Sequence, residues 1–243
     1  MALPEDHARG AAVDPLREAA DTMRAVRDRC VWTQRIDHRA LVPYLVEESA
    51  EVIDAVEAGS PDELREELGD LLWQVLFHAE IASRDAAHPF GIDDVARGLT
   101  EKMVRRHPHV FGDAVATTPE EVLVHWNAAK AAEKRERTSV LDGVSSHMPS
   151  LALAQKLLGK AAQVGVDPVR HHSSAETPGD AGGLGQDVVS HPASEAELGD
   201  ALLGLVALAR AQGWDAERAL RERLRMLTTD VRAAEQARRD LEE

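Results

Sequence analysis

Between Glu47 and Glu80 the chain carries eleven carboxylates and one fixed positive charge, Arg65. Their spacing is helical. Glu47 and Glu48 stand four and three residues before Glu51, and Asp54 continues that row; Glu63, Glu67, Asp70 and Gln74 make a second row. Like-charge neighbours at these spacings each cost about 0.2–0.5 kcal/mol on an exposed helix, and more where two such rows face each other. Two arrangements fit: an acidic outer face, or a carboxylate cage closed by a hard divalent cation. The oxygen-only donor set, with no paired His or Cys to select zinc, points to Mg²⁺, with Mn²⁺ as a substitute. The missing basic partners favour the cage. A di-iron carboxylate bundle would need two Glu-x-x-His pairs, and neither acidic row contains one. His78, eight residues past Asp70, reads as a bundle histidine with its hydrogen bonds satisfied.

The elements that must position these acids are helices. Asp37 caps a helix that runs to Ala58 and stops at Gly59, with Pro43 marking a kink or a later start. Ser60-Pro61-Asp62-Glu63 is a capping box that opens the next helix, extending to about Arg84. The short "GSP" connection makes the two helices an antiparallel hairpin and brings both acidic rows together. Asp14 and Pro15 open an earlier helix to about Arg29, with Leu16, Ala19, Met23 and Val26 on its apolar face. A helix is expected over 93–106, ending before Pro108. Thr118-Pro119-Glu120-Glu121 opens another, which fades near Arg137. Further helices are expected over about 151–164, from Ser194 to about Gln212, and from Trp214 to a frayed end after about Glu235.

The whole composition agrees with an all-α class: 44% hydrophobic but only 3% aromatic residues, rich in Ala, Leu, Glu and Arg. The 243 residues suffice for one large domain or two small ones. A formal net charge of −15 argues against a nucleic-acid polymer or an acidic membrane as partner. A phosphate-bearing ligand would therefore need a cation as intermediary. The single cysteine, Cys30, allows no intrachain disulfide. "MALPEDHARG" lacks the basic and apolar regions of a signal peptide, and no apolar run approaches ~18 residues, so a cytoplasmic location is expected.

An internal echo shapes the domain expectation. "ELGDLLWQVLFHAE" at 67–80 aligns without gaps on "ELGDALLGLVALAR" at 197–210. The second copy keeps Glu197 and Asp200, but from Lys156 to Ser194 there is one glutamate, Glu176, and no counterpart of "EESAE". The expected organisation is a tail over 1–13, a helical module carrying both acidic rows over 14–137, a connecting loop and helix over 138–166, a flexible linker over 167–193, and a degenerate second module over 194–243. One complete carboxylate set per chain, within residues 37–106, follows.

Four ordered segments, "LVPYLVEESAEVIDAV", "LREELGDLLWQVLFHAEIA", "EKMVRRHPHVFGD" and "HWNAAKAAEKRER", closely resemble the MazG family of nucleoside triphosphate pyrophosphohydrolases, with its E-E-x-x-E and E-x-x-D signature. The resemblance implies a helical bundle, usually a homodimer, that uses Mg²⁺ to hydrolyse a nucleoside triphosphate to the monophosphate and pyrophosphate. By position it assigns metal ligation to Glu48, Glu51, Glu67 and Asp70, and orientation of water to Glu47. "CVWTQ" departs from the Cys-Pro-Trp-Asp usual in the family, which bears on the entry loop.

Lys102 precedes Arg105 and Arg106 by three and four residues, so the three can point one way at a triphosphate tail; the competing explanation is a basic helix C-terminus favoured by the macrodipole. Lys130 and Lys134 offer a second basic pair. Trp126 and Trp32 could stack on a base, although an aromatic on an amphipathic helix more often belongs to the core. The histidines at 171, 172 and 191 read as incidental. The expected substrate class is NTP or dNTP, with removal of aberrant nucleotides as a role and a narrower dNTP or dUTP hydrolase as the rival among enzymes. A non-catalytic nucleotide-binding or regulatory helical scaffold is the rival from another class.

Overall fold

The computed structural model describes residues 14–133, 138–166 and 192–242, and among them the regular structure is helical throughout. The expected tail, nearly all of the expected linker, Lys134 and the histidines at 171, 172 and 191 lie outside the described residues. The chain divides into two compact units, Met1–Glu133 and Lys134–Glu243.

The first unit contains α1 (Pro15–Arg29), α2 (His38–Ala58), α3 (Pro61–Ala82), α4 (Ile92–Arg106), the single turn α5 (Pro108–Phe111) and α6 (Pro119–Ala132). Local chemistry sets most of the starts. Asp14 accepts from the Leu16 amide, Asp37 from the Ala40 amide, and Thr118 from the Glu121 amide. Ser60 and Glu63 form the reciprocal capping box, with Glu63 Oε2 accepting from the Ser60 amide at 2.6 Å. Pro43 lies within α2, which is continuous from His38. Glu48 lies against Gln74, and His38 against His78, so α2 and α3 run antiparallel as the short connection requires.

Met23 from α1, Leu41 from α2, and Leu76 and Phe77 from α3 form the buried centre of this unit, with Ala20; Val26, Ile36, Leu72 and Trp73 pack against it. Burying a side chain such as Phe77, 1% exposed, contributes about 1.5–3 kcal/mol. The apolar face of α1 is displaced slightly from the expected one: Ala20 joins Met23 in the core, while Leu16, in the first turn, is 66% exposed. A 3₁₀ turn over Thr33–Arg35 was not anticipated. Its buried Thr33 hydroxyl lies 3.0 Å from the carbonyls of Val26 and Cys30, tying the divergent "CVWTQ" loop to the end of α1.

The second unit contains α7 (Ser150–Gln163), α8 (Glu195–Ala211) and α9 (Ala216–Glu242). Ser194 accepts from the Glu197 amide and starts α8. Residues 150–163, which the sequence reading set apart in a connecting segment, pack against α8 and α9. Gln155 donates to the Trp214 carbonyl at 2.9 Å, and Leu158 and Val206 are buried. The last helix continues through Glu242, beyond the expected end near Glu235.

Candidate active site

The α2/α3 hairpin brings Glu48, Glu67 and Asp70 together: one carboxylate oxygen of each lies within 4.8 Å of the others. This is the one such cluster of metal-donor side chains among the described residues, and it contains oxygen donors alone. Glu48 and Glu67 are half-buried and Asp70 is exposed. Glu51 falls outside the tight triplet but faces the same space; it lines a groove with Asp54, Ala55, Glu63 and Glu67 at the closed end of the hairpin. Glu47 is exposed beside Glu48.

Electrostatics separate this cluster from the other acids of the same helices. Glu80, farther along α3, is answered by Arg84 at 2.7 Å and Arg24 at 3.9 Å, and Asp62 by Arg65 at 3.1 Å. No Lys or Arg pairs with Glu48, Glu67 or Asp70 among the described residues. The uncompensated charge bears on the two glutamates of the triplet. Partial burial, then the charges of Asp70 and Glu51, hold the Glu48 carboxyl above its ordinary value. Partial shielding, then Glu51 and Asp70, do the same to Glu67. A triplet that presents only oxygen donors, lacks a cationic partner and holds two glutamates with raised carboxyl pKa fits a hard divalent ion. Glu48, Glu67 and Asp70 would hold it directly, with Glu51, whose charge acts on both glutamates, as an additional donor.

Behind Glu48 lies Gln74, 5% exposed, whose Nε2 donates to Glu48 Oε1 at 3.4 Å. One turn farther, His78 Nδ1 lies 2.8 Å from His38 Nδ1, with the rings stacked at 5.1 Å. The expectation of a fully satisfied histidine holds for one nitrogen alone: His78 Nε2 is buried without a partner, as is Gln74 Oε1. Burial, followed by His38, holds the His78 imidazole below its ordinary pKa.

The basic residues of α4 form a separate arrangement. Arg106 Nη2 lies 2.6 Å from Glu133 Oε2 and Arg105 Nη2 lies 2.9 Å from Glu133 Oε1, so two guanidinium groups share one carboxylate. Hydrogen bonding from Arg106, reinforced by Arg105, lowers the Glu133 pKa to about 2. The Arg106 guanidinium also sits 5.0 Å above the Trp126 ring, whose other neighbour is His107 at 5.3 Å. Lys102 and Lys130, both half-buried, have no acidic partner among the described residues. Trp32, 48% exposed, packs edge-on to Tyr44 and near Phe77. Thus the structure joins Arg105, Arg106 and Trp126 through Glu133 and ring contacts, and no ion pair links them to the acidic cluster. Sequence reasoning missed Glu133, whose place in "KAAEKRER" reads as an ordinary helix-end charge until the fold brings α4 beside α6. It placed Gln74 in the acidic row without giving it a task.

These features define a class: an all-α protein whose helical hairpin gathers uncompensated carboxylates suited to a divalent cation. The profile of the MazG nucleotide pyrophosphohydrolase domain matches residues 36–111, the span that holds the cluster and the basic end of α4. A nucleoside triphosphate pyrophosphohydrolase of Escherichia coli K12 is 36% identical over 217 residues, covering 86% of this chain and 82% of that protein. The nucleoside triphosphate pyrophosphohydrolase/pyrophosphatase MazG of Thermotoga maritima is 38% identical over 197 residues, 81% of this chain and 75% of its own length. An uncharacterized 26.1 kDa protein of Streptomyces cacaoi is 45% identical over 220 residues, covering 90% and 82%. The chain belongs to the MazG family.

Proposed function

We propose that this protein hydrolyses nucleoside triphosphates and deoxynucleoside triphosphates to the monophosphate and pyrophosphate, with Mg²⁺ held by Glu48, Glu51, Glu67 and Asp70. The observation that carries this reading is the carboxylate triplet within 4.8 Å, left without a basic partner in a chain similar to named nucleoside triphosphate pyrophosphohydrolases. Bound there, the dication supplies neutralisation of the phosphate oxygens and activation of water. The side chains supply the rest. Glu47, exposed beside the cluster, accepts the proton of the attacking water. The water oxygen forms a bond to the α-phosphorus as the bond to the α–β bridging oxygen breaks, and pyrophosphate leaves with that oxygen.

Lys102, Arg105 and Arg106 serve the triphosphate tail in this reading. The two arginines already grip a carboxylate, and a phosphate group offers them the same forked acceptor geometry on exchange with Glu133. Lys130 adds charge from α6, and Trp126 presents the aromatic surface for the base. A homodimer accords with the outward apolar row Val42, Val46, Ile53 and Val56 on α2, of which Val46 and Val56 are 64% and 65% exposed. No helix among the described residues is long and apolar enough to cross a membrane, and action on the free nucleotide pool, including aberrant nucleotides, in the cytoplasm is part of the proposal.

Phosphorus NMR of the products from mixed nucleoside triphosphates and Mg²⁺ tests it. Monophosphate and pyrophosphate in equal amounts, abolished by EDTA, are the expected result. Diphosphate with inorganic phosphate would place the attack at the wrong phosphorus, and no turnover of any substrate would favour a nucleotide-binding scaffold.

A further inference from the structure

Gln74 is a residue the fold alone does not account for. It lies 5% exposed on α3 and faces Glu48 of α2. Its Oε1 is buried and accepts no hydrogen bond. An orphaned amide oxygen at such a position costs about 1–3 kcal/mol relative to an apolar side chain of similar shape, so packing would be better served by Leu or Met. What the amide does possess is a single contact, its Nε2 hydrogen on Glu48 Oε1.

The internal repeat supplies an independent comparison. In the register that aligns Glu67 and Asp70 with Glu197 and Asp200, Leu76 corresponds to Val206, and both are buried. Gln74 corresponds to Gly204 and His78 to Leu208. A Cβ placed on Gly204 would meet nothing within 4 Å, so steric crowding does not exclude a side chain there. The copy without an acidic partner row therefore keeps the apolar core position and the Glu-x-x-Asp pair, yet has neither the amide nor the imidazole. The two polar groups accompany the complete carboxylate set rather than the helix itself.

We propose that Gln74 is a positioning residue that holds the Glu48 carboxylate in the orientation required for cation binding, an inference that rests on the metal-cage reading above. Its chemistry suits the task. A neutral donor on one oxygen of Glu48 restricts the carboxylate while leaving the other oxygen available, and groups that bind a ligating carboxylate in this way strengthen metal affinity by 10- to 100-fold in general. A Lys or Arg at the same place would neutralise Glu48 and compete with the cation. Gln supplies the hydrogen bond without the charge.

The test is Gln74→Met in the full-length protein, read by calorimetric titration with Mn²⁺ in the absence of nucleotide and by thermal unfolding in EDTA. The expected result is Mn²⁺ affinity lowered by about 10-fold or more, with the metal-free unfolding temperature unchanged or raised. Gln74→Met with wild-type Mn²⁺ affinity would overturn the inference, and so would a parallel fall in metal-free stability and affinity, which marks a packing role. Gln74→Glu checks against a misfolded variant: it fits the same space, lacks the amide donor and adds repulsion toward Glu48, so metal-free stability should fall while added Mn²⁺ restores it. No restoration by Mn²⁺ would contradict the proposal. A wild-type protein that binds no Mn²⁺ would remove the cage reading and this inference together, whereas binding that survives Gln74→Met removes the Gln74 role alone.

Discussion

Residues 67–80 of α3 and 197–210 of α8 both begin Glu-Leu-Gly-Asp, and both lie in helices opened by a serine cap. In α3 the two acids meet Glu48 from α2 and become members of a triplet with elevated carboxyl pKa values at Glu48 and Glu67. In α8, Glu197 Oε2 accepts from the Ala193 amide at 2.8 Å, a helix-start bond, and no second acidic row joins it among the described residues. The flanks differ in part: Leu76 and Val206 are buried alike, but Phe77, 1% exposed, is replaced by the half-buried Ala207, and Leu202 of α8 is 45% exposed where Leu72 of α3 is half-buried. A four-residue signature thus specifies a helix and a spacing. The chemistry resides in what the neighbouring helix brings to it.

The sharpest way to break this comparison is to remove the same letter from each copy. Glu67→Ala should lower turnover by on the order of 10³-fold, equivalent to about 4 kcal/mol of transition-state stabilisation. Glu197→Ala should remain within about twofold of wild type. Steady-state assays of pyrophosphate release check both, and comparable losses would place a second site in the second unit.

A smaller effect concerns pH. Because folding raises the Glu48 and Glu67 pKa values, their contribution to stability is present below the ordinary carboxylate pKa and is lost as pH rises through their elevated folded values. Metal-free protein should therefore gain in unfolding temperature from Glu48→Gln/Glu67→Gln at pH 7, with the gain shrinking toward pH 4. Glu133 acts in the opposite sense: held at about 2 by Arg106 and Arg105, it stabilises above the ordinary carboxylate range and loses that contribution as pH falls toward 2. Thermal unfolding of the pair variant and wild type across this range separates the two, and millimolar Mg²⁺ should reverse their order at pH 7.

The smallest effect belongs to the second copy. Gly204 lies inside α8 with open space at its missing Cβ, so Gly204→Ala should raise the stability of the second unit by about 0.5–1 kcal/mol with turnover unchanged. Denaturant unfolding measures the gain.

Much of the fold was legible because helix starts are local. The caps at Asp14, Asp37, Ser60, Thr118 and Ser194 each bond an amide two or three residues on, as their side chains dictate. The acidic rows were legible for the same reason, since period and connection length bring Glu48 to Glu67 and Asp70. The tertiary partners were not. Glu133 lies 27 residues from Arg106, and Arg84 reaches Asp28 across 56 residues, pairings decided by helix packing rather than by any local pattern. The turn at Thr33–Arg35 depends likewise on a hydroxyl reaching back to the Val26 carbonyl.

The most direct measurement is a crystal of this protein soaked in Mn²⁺ with diffraction recorded at the manganese absorption edge. Anomalous density between the carboxylates of Glu48, Glu67 and Asp70, within oxygen-ligand distance of each, is the expected result. Ordered carboxylates turned to solvent, with anomalous density elsewhere or nowhere, would contradict the account.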